Sequence, residues 1–324
     1  MNKIAQLVLG LACCYYVSLN AAPTQKSINF SIGLGAPITT ATTDTMDKGG
    51  WGISQRTEYY PNQPLSNLEL LQHPDAESQN VTIINFLMFS YGLGENLTLG
   101  ASLPYIYTAK LRAATFDDAQ DLQTVSTLGN ISAISDATLF SLWRVFDKGE
   151  HPFSIAILSG INAPTGKSSE RDNEGELFAA SDQAGSGAWA PFGGLIFTKK
   201  WDEVLISTNL TYTPGIEGAQ QTTVSSLFDV NVGLVFPIYE ERHMKLHLDG
   251  VLELNGEYAT RSTIAGFKDP HSGGTTLFVV PGFRLNIASA VSIYLGGDIP
   301  MWEHLNGVQV KNRWGAIGGI DINM

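Results

Sequence analysis

Charged residues, cysteines and long apolar runs are all scarce in this sequence. Of its 324 residues, 15% are charged and two are cysteines, whereas charged residues make up about 25% of typical soluble domains. After the first 22 residues, no run reaches the roughly 18 uncharged apolar residues that a membrane-spanning helix requires. Any membrane-spanning structure that this chain forms must therefore be a closed β-barrel.

The first 22 residues have the pattern of a secretory signal peptide. Lys3 supplies the positive charge, residues 4–17 form the apolar core, and residues 18–22 (SLNAA) form a small-residue cleavage region. We predict cleavage after residue 21 or 22, which removes both cysteines and leaves no thiol for disulfides or catalysis. The alternative, lipidation at Cys13, is disfavoured because Gly10 stands where an aliphatic residue is expected.

The chain is acidic. Its formal net charge is −12, and loss of the single positive charge of Lys3 makes the predicted mature chain −13. Nucleic acid is excluded as a partner, because binding phosphates requires a basic surface. We expect the acidic groups to lie in solvated loops and in a barrel lumen.

The clearest structural pattern is a strict alternation of apolar and polar residues. Between residues 245 and 257, the leucines at 246, 248, 252 and 254 alternate with Lys245, His247, Asp249, Glu253 and Asn255. A helix would scatter these charges around its surface, whereas a strand places every leucine on one face and every charge on the other. The same alternation recurs in residues 204–211, 228–236, 277–286 and 291–299.

The alternating runs and their connections predict an all-β fold, a single transmembrane antiparallel β-barrel over residues 49–324. The runs have the length of about 9 to 13 residues expected of tilted membrane strands. Short periplasmic turns alternate with long extracellular loops, among them residues 110–130 and 164–186, as in outer-membrane barrels. Residues 23–48 are predicted to be a periplasmic or plug-like segment. The twelve predicted strands are residues 50–60, 79–92, 97–109, 132–146, 153–163, 187–198, 203–213, 224–237, 244–257, 274–287, 291–302 and 310–323.

Alternation also assigns side chains to the barrel interior. Polar inner-face groups line a wet path and set its charge selectivity; alternatively, they pair across a narrow barrel that passes nothing. Twelve strands lie between the filled eight-stranded and the open sixteen-stranded cases. The apolar inner-face residues Phe86, Met88, Phe140, Leu142 and Phe278 either form a constriction for apolar cargo or fill space. The predicted lumen-lining residues are Arg56, Glu58, Asp136, Arg144, Asn162, Asn209, Asp229, Asn231, Lys245, His247, Asp249, Glu253, Arg284, Asn286, Asp298 and Asp321.

The sequence offers no catalytic or metal-binding constellation. His243 and His247 are four residues apart, which suits a metal in a helix but places the rings about 13 Å apart along a strand. None of the six histidines lies in a recognisable nucleophile motif. We therefore predict no enzyme activity, no catalytic residue, no metal and no cofactor.

Several motifs resemble those of the MetA-pathway phenol-degradation family, a group of outer-membrane transporters. The motifs are residues 91–93 (YGL), 99–105 (LGASLPY), 135–139 (SDATL), 160–166 (GINAPTG) and 183–189 (QAGSGAW). Their order covers most of the predicted mature chain. The match departs at Ala184, Ala188 and Ala190, where the family often has proline, serine and aspartate. We interpret residues 183–187 as a loop that folds back over the pore mouth.

The resemblance implies an outer-membrane channel or transporter for small molecules, with hydrophobic or aromatic compounds as its cargo. The alternative is a non-conducting barrel whose extracellular loops serve in surface binding or adhesion. Both interpretations place the chain in the outer membrane, with membrane lipid and, during biogenesis, the barrel-assembly machinery as partners. A small-molecule solute is a partner in the channel interpretation.

Overall fold

A computed structural model describes residues 36–117, 122–148, 153–241, 243, 245–288 and 290–324. The predicted signal peptide lies outside these residues. Within them, no helix has the length and apolar character needed to cross a membrane.

The described chain is nearly all β, and its long strands match the twelve predicted ones. Strand β4 consists of two segments, because Ser135 and Asp136 interrupt it. The strands are β1 Trp51–Gln63, β2 Val81–Gly94, β3 Leu97–Asp117, β4 Leu122–Ile134 and Ala137–Lys148, β5 Phe153–Ala163, β6 Ala190–Trp201, β7 Val204–Thr213, β8 Leu227–Glu241, β9 Leu246–Ala259, β10 Gly274–Ile287, β11 Val291–Leu305 and β12 Gly315–Asn323.

The strands form a closed antiparallel barrel. Strand β1 pairs with β2 on one side and with β12 on the other, where the register runs from Gly52 opposite Asn323 to Tyr59 opposite Ala316. All other long strands pair with their neighbours in sequence. The prediction of a single 12-stranded antiparallel barrel is confirmed.

The two ends of the barrel differ as predicted. Short turns join the strands at the end where both barrel termini lie, and most connections at the opposite end are long. The prediction that residues 110–130 form a loop is wrong, because β3 and the first segment of β4 extend and pair as far as Asp117 opposite Leu122. Thr115, Phe116, Thr124 and Val125 favour strands, and the hydroxyl groups of Thr115 and Ser126 form a hydrogen bond across the hairpin, which therefore continues beyond the barrel wall.

The outer surface of the barrel is apolar. Leucine, valine, isoleucine and phenylalanine side chains of alternate positions are exposed there, including Leu87, Leu103, Leu254 and Leu295. Exposed aromatic residues lie at two levels of the barrel wall, toward the extracellular end Tyr59, Tyr105, Trp189, Tyr212, Trp302 and Trp314, and toward the periplasmic end Trp143 and Trp201. An apolar band between two aromatic girdles is the surface that a barrel presents to lipid.

The extracellular connections carry short elements of their own. Helix α1, Asn67–Gln72, begins with a capping box in which Ser66 and Glu69 satisfy each other's backbone amides. Glu77–Ser78 pairs with β3, Lys311–Asn312 pairs with β1, and Thr222–Thr223, Thr263–Ile264 and Phe267–Lys268 form a small separate sheet. A 3-10 turn spans Ala219–Gln221.

Candidate functional site

The chain segment that precedes β1 lies inside the barrel. Residues 36–47, here called the N-terminal segment, belong to no strand, and residues 36–43 and Met46 are buried. The segment contacts inward-facing residues of several strands, so it occupies the part of the lumen nearer the periplasmic end. Alternation cannot reveal such a position, because a segment outside the sheet has no strand periodicity. The one signal in the sequence is a group of four threonines, Thr39, Thr40, Thr42 and Thr43.

Glu253 of β9 is the principal anchor of the N-terminal segment. Its carboxylate accepts hydrogen bonds from the backbone amides of Ile38, Thr39 and Thr40 at 2.5, 2.9 and 2.7 Å. The hydroxyls of Thr39 and Thr40 donate to the Oε2 atom at 2.5 and 2.7 Å. Glu253 is 1% exposed. Burial of a carboxylate is costly unless donors surround it, and the N-terminal segment supplies five.

Two arginines hold backbone carbonyls of the same segment. Arg284 donates to the carbonyl oxygen of Pro37 at 3.0 Å and forms an ion pair of 2.7 Å with Asp321. Arg56 donates to the carbonyl oxygen of Ile38 at 3.4 Å and is ion-paired with Glu58. Each guanidinium group therefore binds both a carboxylate of the barrel wall and a backbone carbonyl of the N-terminal segment.

The wall is shaped to receive the segment. A Cβ atom on Gly233 would lie 2.7 Å from Cγ of Pro37 and 3.1 Å from Cβ of Thr40. A Cβ atom on Gly282 would lie 2.3 Å from Cδ1 of Ile38. These inward-facing glycines leave the space that Pro37, Ile38 and Thr40 occupy.

Further along the segment, wall hydroxyls bind its backbone. Thr198 accepts from the amide of Thr43 at 3.0 Å, Ser207 donates to the carbonyl of Ala41 at 2.7 Å, and Thr98 accepts from the amide of Met46 at 2.8 Å. Ala41 and Met46 pack in one apolar cluster with Met88, Phe140, Leu142, Ala156, Leu158, Phe192 and Ile196. Three of the five apolar residues predicted for the inner face thus pack against the segment.

A larger cavity occupies the extracellular half of the lumen. This outer cavity has a volume of about 200 Å³ and is lined by strand residues such as Phe86 and Asp229 and by residues 180–184, 186 and 188 of the β5–β6 loop. A smaller, inner cavity of about 40 Å³ lies between it and the N-terminal segment, and Thr39, Asp298 and Asp229 are among its lining residues. Asp229 lines both cavities.

Asp136 anchors the β5–β6 loop beside the outer cavity. Its Oδ1 atom accepts from the amide of Gly166 at 2.9 Å, and its Oδ2 atom accepts from the amide and hydroxyl of Ser186 at 2.8 and 2.5 Å. Gly166 and Gly185 pass so closely that a Cβ atom on Gly185 would lie 2.4 Å from the Gly166 carbonyl carbon. Three of the motifs behind the family resemblance, residues 135–139, 160–166 and 183–189, therefore form one structural unit.

A pair of carboxyl groups joins two extracellular connections above the cavity. Burial, followed by the charge of Asp182, raises the pKa of Glu77 well above its ordinary value, and burial raises the pKa of Asp182. Asp182 also lines the outer cavity. The pair retains a proton at pH values where an isolated carboxyl group has lost it.

The structure distributes the predicted lumen residues over three levels. Near the cavities lie Asp136, Asn162, Asp229, Asn231 and Asp298. Around the N-terminal segment lie the buried residues Arg56, Glu58, Glu253, Arg284 and Asp321, with Asn209 and Asn286 also buried. Toward the periplasmic rim lie Asp249, which accepts from Asn286, Arg144, which donates to Asn96, and the exposed residues Lys245 and His247, of which Lys245 lies in a turn.

Known proteins resemble the chain in fold but not in sequence. No family model matches the sequence, and no curated protein matches it. The solved COG4313 outer membrane channel from Pseudomonas putida F1 superimposes with a TM-score of 0.59 at 11% identity, over 87% of this chain and 98% of that chain. The chain thus has the fold of a 12-stranded outer-membrane β-barrel.

Two further structures show weaker similarity. The β domain of the Bordetella autotransporter Brka has a TM-score of 0.47 at 9% identity, over 85% of this chain and 99% of that chain. The NanC porin has a TM-score of 0.45 at 7% identity, over 83% of this chain and 98% of that chain. The MetA-pathway assignment remains a prediction.

Proposed function

We propose that the chain is an outer-membrane channel for small molecules whose described conformation is closed by the N-terminal segment. The observation that supports this most directly is the division of the lumen. Its extracellular half contains a cavity of about 200 Å³, whereas its periplasmic half contains the buried residues 36–43. Passage then requires the segment to move.

Water can replace the hydrogen bonds that hold the N-terminal segment to the barrel wall. No strand pairing holds residues 36–47 to the wall, and Glu253, Thr198 and Thr98 bind the segment through side chains. Water replaces these donors and acceptors when the segment leaves, so each bond contributes about 0.5–3 kcal/mol net. The barrel ladder stays intact during such a movement.

Hydrophobic or aromatic molecules are the proposed cargo. The family resemblance suggests this class, and Phe86, Phe192 and Leu227 give the outer cavity an apolar part. Under this proposal the chain resides in the outer membrane, with its apolar band in lipid, and is inserted by the barrel-assembly machinery. No catalytic step is assigned to it.

The second candidate function is a non-conducting barrel that binds a surface partner. Two observations favour it: the N-terminal segment fills part of the lumen, and the extracellular end exposes apolar side chains, including Phe267 at 80% exposure. Deleting the hairpin that carries Phe267 should then abolish the surface interaction, and an unchanged interaction would contradict this candidate.

Planar-bilayer recording of the purified, refolded chain tests the channel proposal. We expect brief openings separated by long closed periods, because the segment leaves only transiently. Liposome swelling with neutral solutes of increasing size measures the width of the open state. A folded barrel that shows neither current nor swelling, even in the variant Glu253→Gln, would contradict the proposal and favour the second candidate.

A further inference from the structure

The charged side chains that line the two cavities all have the same sign. Asp136, Asp182 and Asp229 line the outer cavity, and Asp229, Glu257 and Asp298 line the inner one. Among the described residues, no lysine, arginine or histidine lines either cavity. A molecule in this space therefore meets acidic side chains and no basic ones.

Two buried side-chain atoms in the cavity linings are hydrogen-bond acceptors without a donor. The Oδ2 atom of Asp182 in the outer cavity and the Oδ1 atom of Asn255 in the inner cavity are buried and have no hydrogen-bond partner among the described residues. Both atoms are acceptors. A ligand that satisfies them has to donate hydrogen bonds, because a buried acceptor without a donor costs free energy.

The remaining lining is apolar or neutral. Phe86, Phe192 and Leu227 contribute apolar surface to the outer cavity. Aromatic rings attract cations as well as apolar groups. The volume of about 200 Å³ is below the roughly 300–1,000 Å³ of pockets for drug-sized ligands, so it suits a molecule with a single ring or a short chain.

We propose that the outer cavity binds a small amphiphilic cation, a protonated amine attached to an apolar body. The apolar body packs against Phe86, Phe192 and Leu227, and the ammonium group donates toward Asp182 and Asp229. The positive charges of Arg56 and Arg284 do not repel the ammonium group, because Arg56 is ion-paired with Glu58 and Arg284 with Asp321. The inference deepens the proposed channel function by naming a cargo class, and it is tested by binding without any measurement of flux.

Isothermal titration calorimetry on the folded full-length barrel in detergent at pH 7 separates the alternatives with three probes of similar size. Benzylammonium carries the positive charge, benzyl alcohol is neutral and benzoate is negative. We expect benzylammonium to bind about tenfold more tightly than benzyl alcohol, and benzoate to bind most weakly, because a charge-assisted hydrogen bond is stronger than a neutral one. Equal affinities, a preference for benzoate or no binding of any probe would overturn the inference.

Asp229→Asn locates the site. It should weaken benzylammonium binding about tenfold and leave benzyl alcohol within twofold. Asp202→Asn, in an exposed periplasmic turn, is the matched control with the same loss of charge. Should Asp229→Asn not fold, Asp182→Asn provides the second test. Unchanged benzylammonium affinity in a folded variant of either aspartate contradicts the assignment. Binding without conductance would refute the channel and leave the binding site standing.

Discussion

Replacing Glu253 with glutamine should release the N-terminal segment. The carboxylate oxygen Oε2 accepts from the hydroxyls of Thr39 and Thr40 and from the amide of Thr40, and Oε1 accepts from the amide of Ile38. The amide of Thr39 is shared between Oε1 at 2.9 Å and Oε2 at 3.1 Å. A glutamine has one acceptor oxygen, so its NH₂ group faces a backbone amide whichever way it is turned. The variant loses at least one charge-assisted bond, worth about 1.5–3 kcal/mol, which raises the population of the displaced segment roughly 10- to 160-fold.

Single-channel recording measures this effect as the fraction of time spent open. Glu203→Gln, in an exposed turn at the periplasmic end, removes the same charge without touching the segment and is the control. We expect Glu253→Gln to increase the open fraction by at least tenfold and Glu203→Gln to leave it unchanged. An open fraction equal to that of the unmodified protein, in a folded Glu253→Gln barrel, would refute the reasoning.

Two more predictions concern the wall and the extracellular connections. Gly233→Ala should raise the open fraction, because the atoms nearest to the new Cβ atom, at 2.7 to 3.1 Å, belong to Pro37 and Thr40 of the N-terminal segment. Gly256→Ala, whose new Cβ atom has its nearest neighbour at 3.5 Å, should leave the open fraction unchanged. Equal open fractions of the two variants would count against the contact. Because the pKa of Glu77 in the folded protein is raised above its ordinary value of 4.5, the contact between Glu77 and Asp182 is most stable below pH 4.5. It weakens as the pH rises through the raised pKa. After correction for intrinsic exchange, hydrogen exchange of residues 178–188 should become faster as the pH rises. The increase should be smaller in Asp182→Asn. A corrected rate that does not change with pH would contradict the expected loss of stability at higher pH.

The barrel could be predicted because successive residues of each strand face lipid and lumen in turn. Leu252, Glu253 and Leu254 must face lipid, lumen and lipid in turn, and a shift of one residue would expose the carboxylate to hydrocarbon. The same constraint acts on every strand, so strand number and boundaries follow from the sequence to within a few residues. Residues 110–130 departed from the prediction because the hairpin outside the membrane has no apolar face to mark it.

The arrangement of the site was less accessible. Glu253 could be assigned to the inner face by parity, but parity does not say which donors reach it. Thr39 and Thr40 lie 214 and 213 residues away in the chain, and no local pattern connects them to β9. Asp136 was predicted as a lumen residue, yet its hydrogen bonds to Ser186 depend on how a long loop folds back.

The central claim, that residues 36–47 close the lumen, is tested most directly by tethering the segment to the wall. Gly233 and Thr40 are suitable, since a Cβ atom at Gly233 would lie 3.1 Å from that of Thr40, and a small shift of the segment away from the wall brings the pair to the roughly 3.5–4.5 Å of disulfides. In the double variant Thr40→Cys/Gly233→Cys, conductance should be absent under oxidising conditions and appear on reduction, whereas Thr40→Cys alone should not respond to reductant. Equal conductance of the cross-linked and the reduced barrel would contradict the account.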